Sequence, residues 1–553
     1  MPYRYDGRAY RATFDANFNY LAGFWRNVRR FGDRPALIDP GLIDPGPAGE
    51  RRSWSYAELG DEVTRLAQGL ADRGVQPGDV VTFQLFNCAE FAQLYLAIEQ
   101  LGAIASPINF RFSPGETAHV LDDSLPVVFV YDATLSEQIG TAIELADHRP
   151  GTLIAVGGEP GIDGAERYQD LPAETGYDTP YATTAWDETL RLYTSGTTGM
   201  PKGVSLNNAA EVLSAHDVIM HFPLAPQDKT LNMTPWFHRG GISSAGPQPV
   251  FYVGAASVIM KHFDADAVLD LVQSEGLTFL IGAPTNLALL ASAQEAKARD
   301  LSTLRGIVTM GAPLERAACL RYQSVLTPRI FNGYGTTEAF WNTFLRPADL
   351  PDHAGTAGQA CTDDDVRVVN VYEDRPAAPD DLAPKDGAST GEVIMRSLKS
   401  GYAYVNKPDE QQAKFRDGWL YSGDLGTWDA REFVTIVGRK DDMIISGGEN
   451  VHPVQVEEVL NEHPSVIDSI VIGQPDERWG EIVVAYVQTD DQELSATELD
   501  KHCLASAMLA DFKRPRRYRF VDDLPRTATG KKMHYVIRKR LAEPGEVDQL
   551  QRP

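Results

Sequence analysis

At 553 residues the chain is several times the usual single-domain length, so roughly three to four core-forming units are expected. Hydrophobic residues at 43% and charged residues at 23% exclude extensive disorder and a fibrous repeat. A formal net charge of −26 excludes a broadly nucleic-acid-binding surface, so any polyanionic ligand must be held by locally placed cations.

The N-terminus, MPYRYDGRAYRATFDANF, lacks an apolar core, and no stretch has the length and apolarity of a membrane-spanning helix, so neither export nor an integral membrane segment is expected. SYAELGDEVTRLAQGLADRG predicts an amphipathic helix and VVTFQLF a buried strand; FAQLYLAIEQLGAIASPIN repeats the unit. Turn signals at Gly74, Pro77, Gly78, Gly102 and Pro107 space these elements as β-α units, as does the stretch 263–284. A parallel sheet covered by helices follows. Segments 40–52 and 372–389 have no hydrophobic periodicity and read as surface loops. After Gly438 the texture changes: VQVEEVLNEHP is a helix pattern, SIVIGQPDERWGEIVVAYVQT two strands around a turn, and TELDKHCLASAM another helix. The expectation is an α/β chain: a large N-terminal domain of helix-covered sheets plus a small α+β C-terminal domain of roughly a hundred residues. Cys88, Cys319, Cys361 and Cys503 form no CxxC pair, which predicts reduced cytoplasmic thiols.

The chemistry concentrates first in YTSGTTGMPKGV at 193–204, directly after the apolar LRL. Thr194, Ser195, Gly196, Thr197 and Thr198 offer hydroxyl and backbone N–H donors without bulky side chains, and Lys202 adds a positive charge; together they read as a phosphate cradle. The Walker spacing is absent, because Gly196, Gly199 and Lys202 follow one another at intervals of three. PWFHRGG at 235–241, GAP at 311–313, NGYGTTE at 332–338, YSGDL at 421–425, GRKDDMIISGGENVHP at 438–453 and LPRTATGKK at 524–532 follow in order. This series resembles the signature set of the adenylate-forming superfamily: acyl-CoA synthetases, peptide-synthetase adenylation domains and luciferases. The matches run across nearly the whole chain.

The resemblance implies an AMP-forming carboxylic acid:CoA ligase that takes ATP, Mg²⁺ and CoA. A carboxylate cannot be attacked by a thiol while its leaving group is oxide, so it is first activated as a mixed anhydride with AMP. On the family pattern Lys531 bridges carboxylate and α-phosphate, where preorganised charge is usually the largest catalytic term. Lys202 and the loop hydroxyls take the outgoing phosphates, Thr337 the α-phosphate, and Glu338 the Mg²⁺. Asp424 and Arg439 clamp the ribose. Tyr334, with Gly311, Ala312 and Pro313, sandwiches adenine, and Asn332, Gly333, Gly335 and Thr336 complete the nucleotide loop. Asp441 matches the hinge, which divides the chain into 1–437, 438–441 and 442–553. After a rotation the loop bearing Gly447 and Gly448 would admit pantetheine, with Lys513 and Arg514 near the CoA phosphates.

The acyl pocket on the same pattern takes Trp236, Phe237, His238, Ala283, Met310, Gly333, Phe340 and Trp341. Several aromatics around one pocket favour a small cyclic, aromatic or short branched acid over a long alkyl chain. His238 would gate or contact the carboxylate, or stand as a structural histidine. A medium- or long-chain fatty acid ligase, a free-standing enzyme loading a carrier protein and a noncatalytic acyl-AMP sensor are the alternatives. The absence of a carrier domain after Arg540 favours CoA, and Lys531, Glu338 and Asp424 together argue against a sensor. No H-E-x-x-H or G-x-G-x-x-G motif occurs. The partners implied are small molecules, with no nucleic acid; monomer or homodimer stays open.

Overall fold

The computed structural model of the chain describes residues 7–41, 49–179, 183–195, 200–372, 375–446, 449–476, 478–506, 509, 511–527 and 530–542. Helix Tyr56–Asp72 starts at a capping box, in which Ser55 and Glu58 satisfy each other's backbone N–H groups. It packs beside a seven-stranded sheet whose strand Val80–Gln84 is buried at every residue and runs parallel to Ile104–Pro107 and Val128–Asp132. Continuous apolar strands of this kind are those covered by helices on both faces. The edge of the sheet is the antiparallel pair Glu188–Ser195 and Pro201–Asn207, so both ends of the phosphate motif, 193–195 and 201–204, lie in edge strands.

A second sheet, of nine strands, carries most of the remaining motifs. Its strands Lys229–Asn232, Phe279–Gly282, Gly306–Met310 and Ile330–Thr336 are consecutive neighbours and mutually parallel. PWFHRGG, Ala283, GAP and the end of NGYGTTE therefore leave the same edge of one sheet, the carboxyl edge where open α/β sheets bind ligands. A third, antiparallel sheet holds Asp364–Val369, Gly391–Ser397, Trp419–Trp428 and Val434–Arg439, and its register sets Asp424 opposite Arg439.

The C-terminal part has its own mixed sheet, built on the antiparallel pair Asp468–Asp476 and Gly480–Gln488 with Arg517–Val521 parallel to the latter, and its own buried cluster around Val456, Leu460, Val471, Val483 and Leu499. The predicted helices and strands of this region are found at Pro453–Asn461, Asp468–Asp476, Gly480–Gln488 and Ala496–Ala505. The expected division into 1–437, 438–441 and 442–553 falls at the end of the third sheet. Gly438 and Arg439 still belong to the large unit, because Arg439 pairs with Asp424 and Gly438 with Leu425. The passage between sheets is made by the short 3₁₀ turn Lys440–Asp442 and Met443.

Candidate active site

Four parallel strands deliver their loops to one edge, and Asn232 organises the first of them. Its side-chain amide donates to the carbonyls of Gly240, Gly241 and Ser244 at 3.1, 3.0 and 2.9 Å, folding the FHRGG segment back over the strand end. Asn87 closes the other side, donating to Thr234 O at 3.0 Å and accepting from the Trp236 N–H at 2.8 Å. Neither asparagine stands out in the sequence, since each acts through backbone groups far away along the chain.

On the nucleotide side, Tyr334 donates to Asp424 Oδ2 at 2.7 Å and Arg439 Nη1 to Asp424 Oδ1 at 2.6 Å. Burial first, and then the Asp424 charge, hold the Tyr334 phenol well above its ordinary pKa, so it stays a neutral donor. Gly311 sits at φ +86° with nothing within 4 Å of where a side chain would begin, so the Gly311–Ala312–Pro313 turn faces open space. Asn332 donates to Thr356 O at 3.2 Å, which fixes the strand bearing Gly333, Gly335 and Thr336. Glu338 accepts a short hydrogen bond from Tyr404, and Lys202 pairs with Glu410. Tyr404 and Glu410 went unread in the sequence. They come to the site because residues 403–405 pair with strand Pro201–Asn207, Val405 N donating to Gly203 O at 2.9 Å. Thr194 lies opposite Lys202 in the hairpin. Gly196, Thr197, Thr198, Gly447 and Gly448 lie outside the described residues, as do the side chains of Ser195 and Asp441.

On the acid side, Phe340 stacks on Trp341 with ring centroids 4.7 Å apart, and the Trp341 indole lies over Gly333, where a Cβ would stand 2.9 Å from Nε1. Gly335 is obligatory here, since a Cβ would overlap the Phe340 carbonyl. Met310 covers Gly240, and Ala283 is a buried N-cap. Phe237 is buried with its ring edge-on to Phe110 at 5.3 Å. Trp236 departs from its expected role: it is fully buried, edge-on to Phe91, and serves the core rather than an open wall. His238 lies against Phe237 with the two rings tilted at 46°, its Nε2 has no hydrogen-bond partner among the described residues, and burial lowers its pKa to about 4, so the imidazole is neutral at pH 7.

The C-terminal lid reaches this edge through the turn 527–531, in which Thr527 N donates to Lys531 O at 2.8 Å. Gly530 touches Thr285, next to Ala283: a Cβ there would lie 2.7 Å from Thr285 Oγ1. Lys531 follows Gly530 directly and is exposed. Lys513 donates to Gln455 at 2.9 Å, whereas Arg514 pairs with Asp500 at 2.8 Å and has its charge balanced inside the lid.

The sequence model of the AMP-binding enzyme matches residues 24–402, and that of the AMP-binding enzyme C-terminal domain matches 455–531. The chain belongs to the AMP-binding enzyme family. It is 32% identical over 515 residues to an indoleacetate–CoA ligase of Aromatoleum aromaticum, covering 92% of this chain and 98% of that one. It is also 32% identical over 490 residues to a long-chain-fatty-acid–CoA ligase of Mycobacterium tuberculosis, covering 88% and 93%. The crystal structure of the anthranilate CoA ligase AuaEII in complex with anthranoyl-AMP superposes with a TM-score of 0.83 at 26% identity, covering 95% and 98%. This AMP-binding enzyme is accordingly an AMP-forming acid–thiol ligase of the acyl-CoA synthetase type, with ATP and CoA as substrates. No helix among its described residues is long and apolar enough to cross a membrane.

The donor set suits magnesium at Glu338: a carboxylate steadied by a phenol supplies hard oxygen, and Mg²⁺ is usually held by one or two carboxylates together with substrate phosphates. A second group, Asp217, His221 and Cys361, brings ligand atoms within 4.8 Å of one another. Cations already fill it: Lys399 pairs with Asp217, and Arg346 donates to His221 Nδ1 at 2.8 Å.

Proposed function

We propose that this ligase activates a small aromatic or cyclic carboxylic acid with ATP and passes the acyl group to CoA. The observation that carries the choice of acid is the Phe340–Trp341 stack over Gly333: two large rings occupy the volume that an alkyl tunnel would need. The indoleacetate and anthranilate ligases among its relatives favour the same class.

In the first step a carboxylate oxygen attacks the α-phosphorus, the bond to pyrophosphate breaks, and acyl-AMP forms. Lys531, on the turn against Thr285, lies between the two anions. Lys202 and the hairpin hydroxyls hold the leaving phosphates, Thr337 the α-phosphate, and Glu338 the metal. Mg²⁺, when bound there, neutralises phosphate charge. Asp424 and Arg439 take the ribose hydroxyls while Tyr334 and the Gly311 turn enclose adenine, and neutral His238 lines the carboxylate end. In the second step the lid turns about Asp441, in the 440–443 passage, and presents the Gly447–Gly448 face with Lys513. The CoA sulfur then attacks the acyl carbon, AMP leaves, and the thiol proton passes to solvent. The four free cysteines suit a reducing compartment such as the cytoplasm.

The test is pyrophosphate release over aryl, alicyclic, short branched and fatty acids, with and without CoA. Aromatic acids should exceed palmitate in kcat/KM, and pyrophosphate should appear without CoA. Preference for palmitate would support the fatty-acid reading, and formation of ADP would overturn adenylation.

A further inference from the structure

Arg239 has no part in the roles above, yet its environment is unusual. It is 3% exposed and, among the described residues, makes no ion pair. A guanidinium is costly to bury without a carboxylate, so what its donors reach is informative. Nη1 donates to the Thr337 carbonyl at 2.6 Å, and Nη2 to the Lys399 carbonyl at 2.8 Å and to Ser214 Oγ at 3.1 Å. The group lies 5.5 Å from the centroid of the Phe340 ring, which closes the hairpin from below.

The two carbonyl acceptors belong to the two elements that meet at Glu338. Thr337 immediately precedes it. Lys399 begins the segment 399–414, whose Tyr404 donates to Glu338, and its own ammonium is anchored in the interior by Asp217 and by Asp364 at 2.7 Å. One rigid fork therefore joins the backbone beneath Glu338 to the segment that carries the hydrogen-bond donor above it. A lysine could satisfy one of these carbonyls but not both, because its ammonium is a point charge without the planar fork.

We infer that Arg239 is a positioning residue that fixes the Glu338 carboxylate for its metal and the Thr337 turn for the phosphate. This rests on the assignment of Glu338 proposed above. It predicts a selective defect: the step that uses ATP and metal suffers, and the step that uses acyl-AMP and CoA does not. Partners that orient a metal ligand typically contribute 10- to 100-fold in affinity or activity, about 1.4–2.7 kcal/mol.

The experiment compares wild type, Arg239→Lys and, as a packing control, Ser214→Ala. ATP binding is titrated calorimetrically without acid, with and without Mg²⁺; pyrophosphate release and single-turnover thioester formation from presynthesised acyl-AMP are measured separately. Arg239→Lys should lose most of the Mg²⁺-dependent gain in ATP affinity and slow pyrophosphate release by about 10- to 100-fold. It should keep acyl-AMP consumption within about twofold, with Ser214→Ala near wild type throughout. Should Arg239→Lys melt below the assay temperature, Arg239→Gln replaces it. Equal loss of both half-reactions, or an unchanged Mg²⁺ gain, overturns the inference. If wild type forms acyl-AMP from none of the acids, the functional reading falls instead, and the calorimetric comparison still decides the role of Arg239.

Discussion

Replacing Lys531 by alanine should damage the first half-reaction and spare the second. The turn that carries it is closed by three hydrogen bonds: Thr527 N to Lys531 O at 2.8 Å, Gly530 N to Thr527 O at 2.9 Å, and Lys531 N to Thr527 Oγ1 at 3.1 Å. Its tip is seated against Thr285, so the lysine reaches the acid site only while the lid is docked in this orientation. Loss of one preorganised contact to charge developing in the transition state costs about 2.7–4 kcal/mol, or roughly 10²- to 10³-fold in adenylation. A companion variant separates the charge from its placement. Gly530→Ala keeps the lysine but adds a Cβ at φ +80°, 2.7 Å from Thr285 Oγ1. Strain of about 1–3 kcal/mol is expected at such a residue, enough to move the turn and slow adenylation by roughly 5- to 150-fold. Pyrophosphate release reports the first step, and single-turnover consumption of presynthesised acyl-AMP with CoA reports the second. Equal losses in the two assays for Lys531→Ala would refute the assignment of Lys531 to adenylation.

Other perturbations probe separate parts. Asp424→Ala removes the acceptor of both Tyr334 and Arg439, and should weaken ATP binding by about 10- to 100-fold, read by calorimetry, since each charge-assisted hydrogen bond contributes about 1.5–3 kcal/mol. Burial, and then the charges of Glu315 and Glu457, raise the pKa of Glu458 to about 7, with Lys532 opposing and Glu462 adding to the rise. Because docking raises this pKa, lid closure is favoured by protonation and weakens as pH rises from the ordinary 4.5 through about 7; a fluorescence pair across the hinge should report opening over that interval, and Glu458→Gln should flatten the profile. The buried Glu99–Glu211 pair holds a proton, burial being the first cause for both, so its stabilisation is present below the ordinary carboxyl range and lost as pH rises. Glu99→Gln should therefore reduce the fall of Tm between pH 5 and 8, and an unchanged slope would refute the sharing of one proton.

The sequence made the β-α units legible because helix and strand periodicities are local, as the helix Tyr56–Asp72 and strand Val80–Gln84 illustrate. The family resemblance singled out Asp424, Arg439, Tyr334 and Glu338, and the structure brings Tyr334 and Arg439 onto Asp424. Long-range partnerships left no such trace. Arg239 meets Lys399 across 160 positions and Tyr404 meets Glu338 across 66, and nothing in either local segment marks the contact. Trp236 was misjudged for the same reason: an aromatic residue within a signature can be core as readily as wall, and only the proximity of Phe91 decides. The stretch 438–441, read as the hinge from its motif, includes two residues still paired in the preceding sheet, Gly438 with Leu425 and Arg439 with Asp424, a pairing that the local sequence does not register.

The balance of charge within the lid bears on why a two-step enzyme can use one site. Lys532 is bound to Glu457 and Asp468 at 2.9 Å each, Arg526 to Asp468, Arg514 to Asp500 and Arg538 to Asp442, all inside the C-terminal part. Burial alone would raise the pKa of Glu457, but Lys532 and His534 outweigh it and bring it to about 2, so Glu457 is ionised at neutral pH. Cations committed in this way are satisfied without the large domain. What faces Glu315 across the seam is mixed: Lys532 and the Asn461 side chain favour its charge, while Glu457, Glu462 and Glu458 oppose it. The like charges among these offset the attraction and oppose tight docking, beside short contacts such as Gly530 on Thr285. Weak docking is what the chemistry requires, because a lid bound strongly enough to persist after adenylation would keep Lys531 where the thiol has to enter.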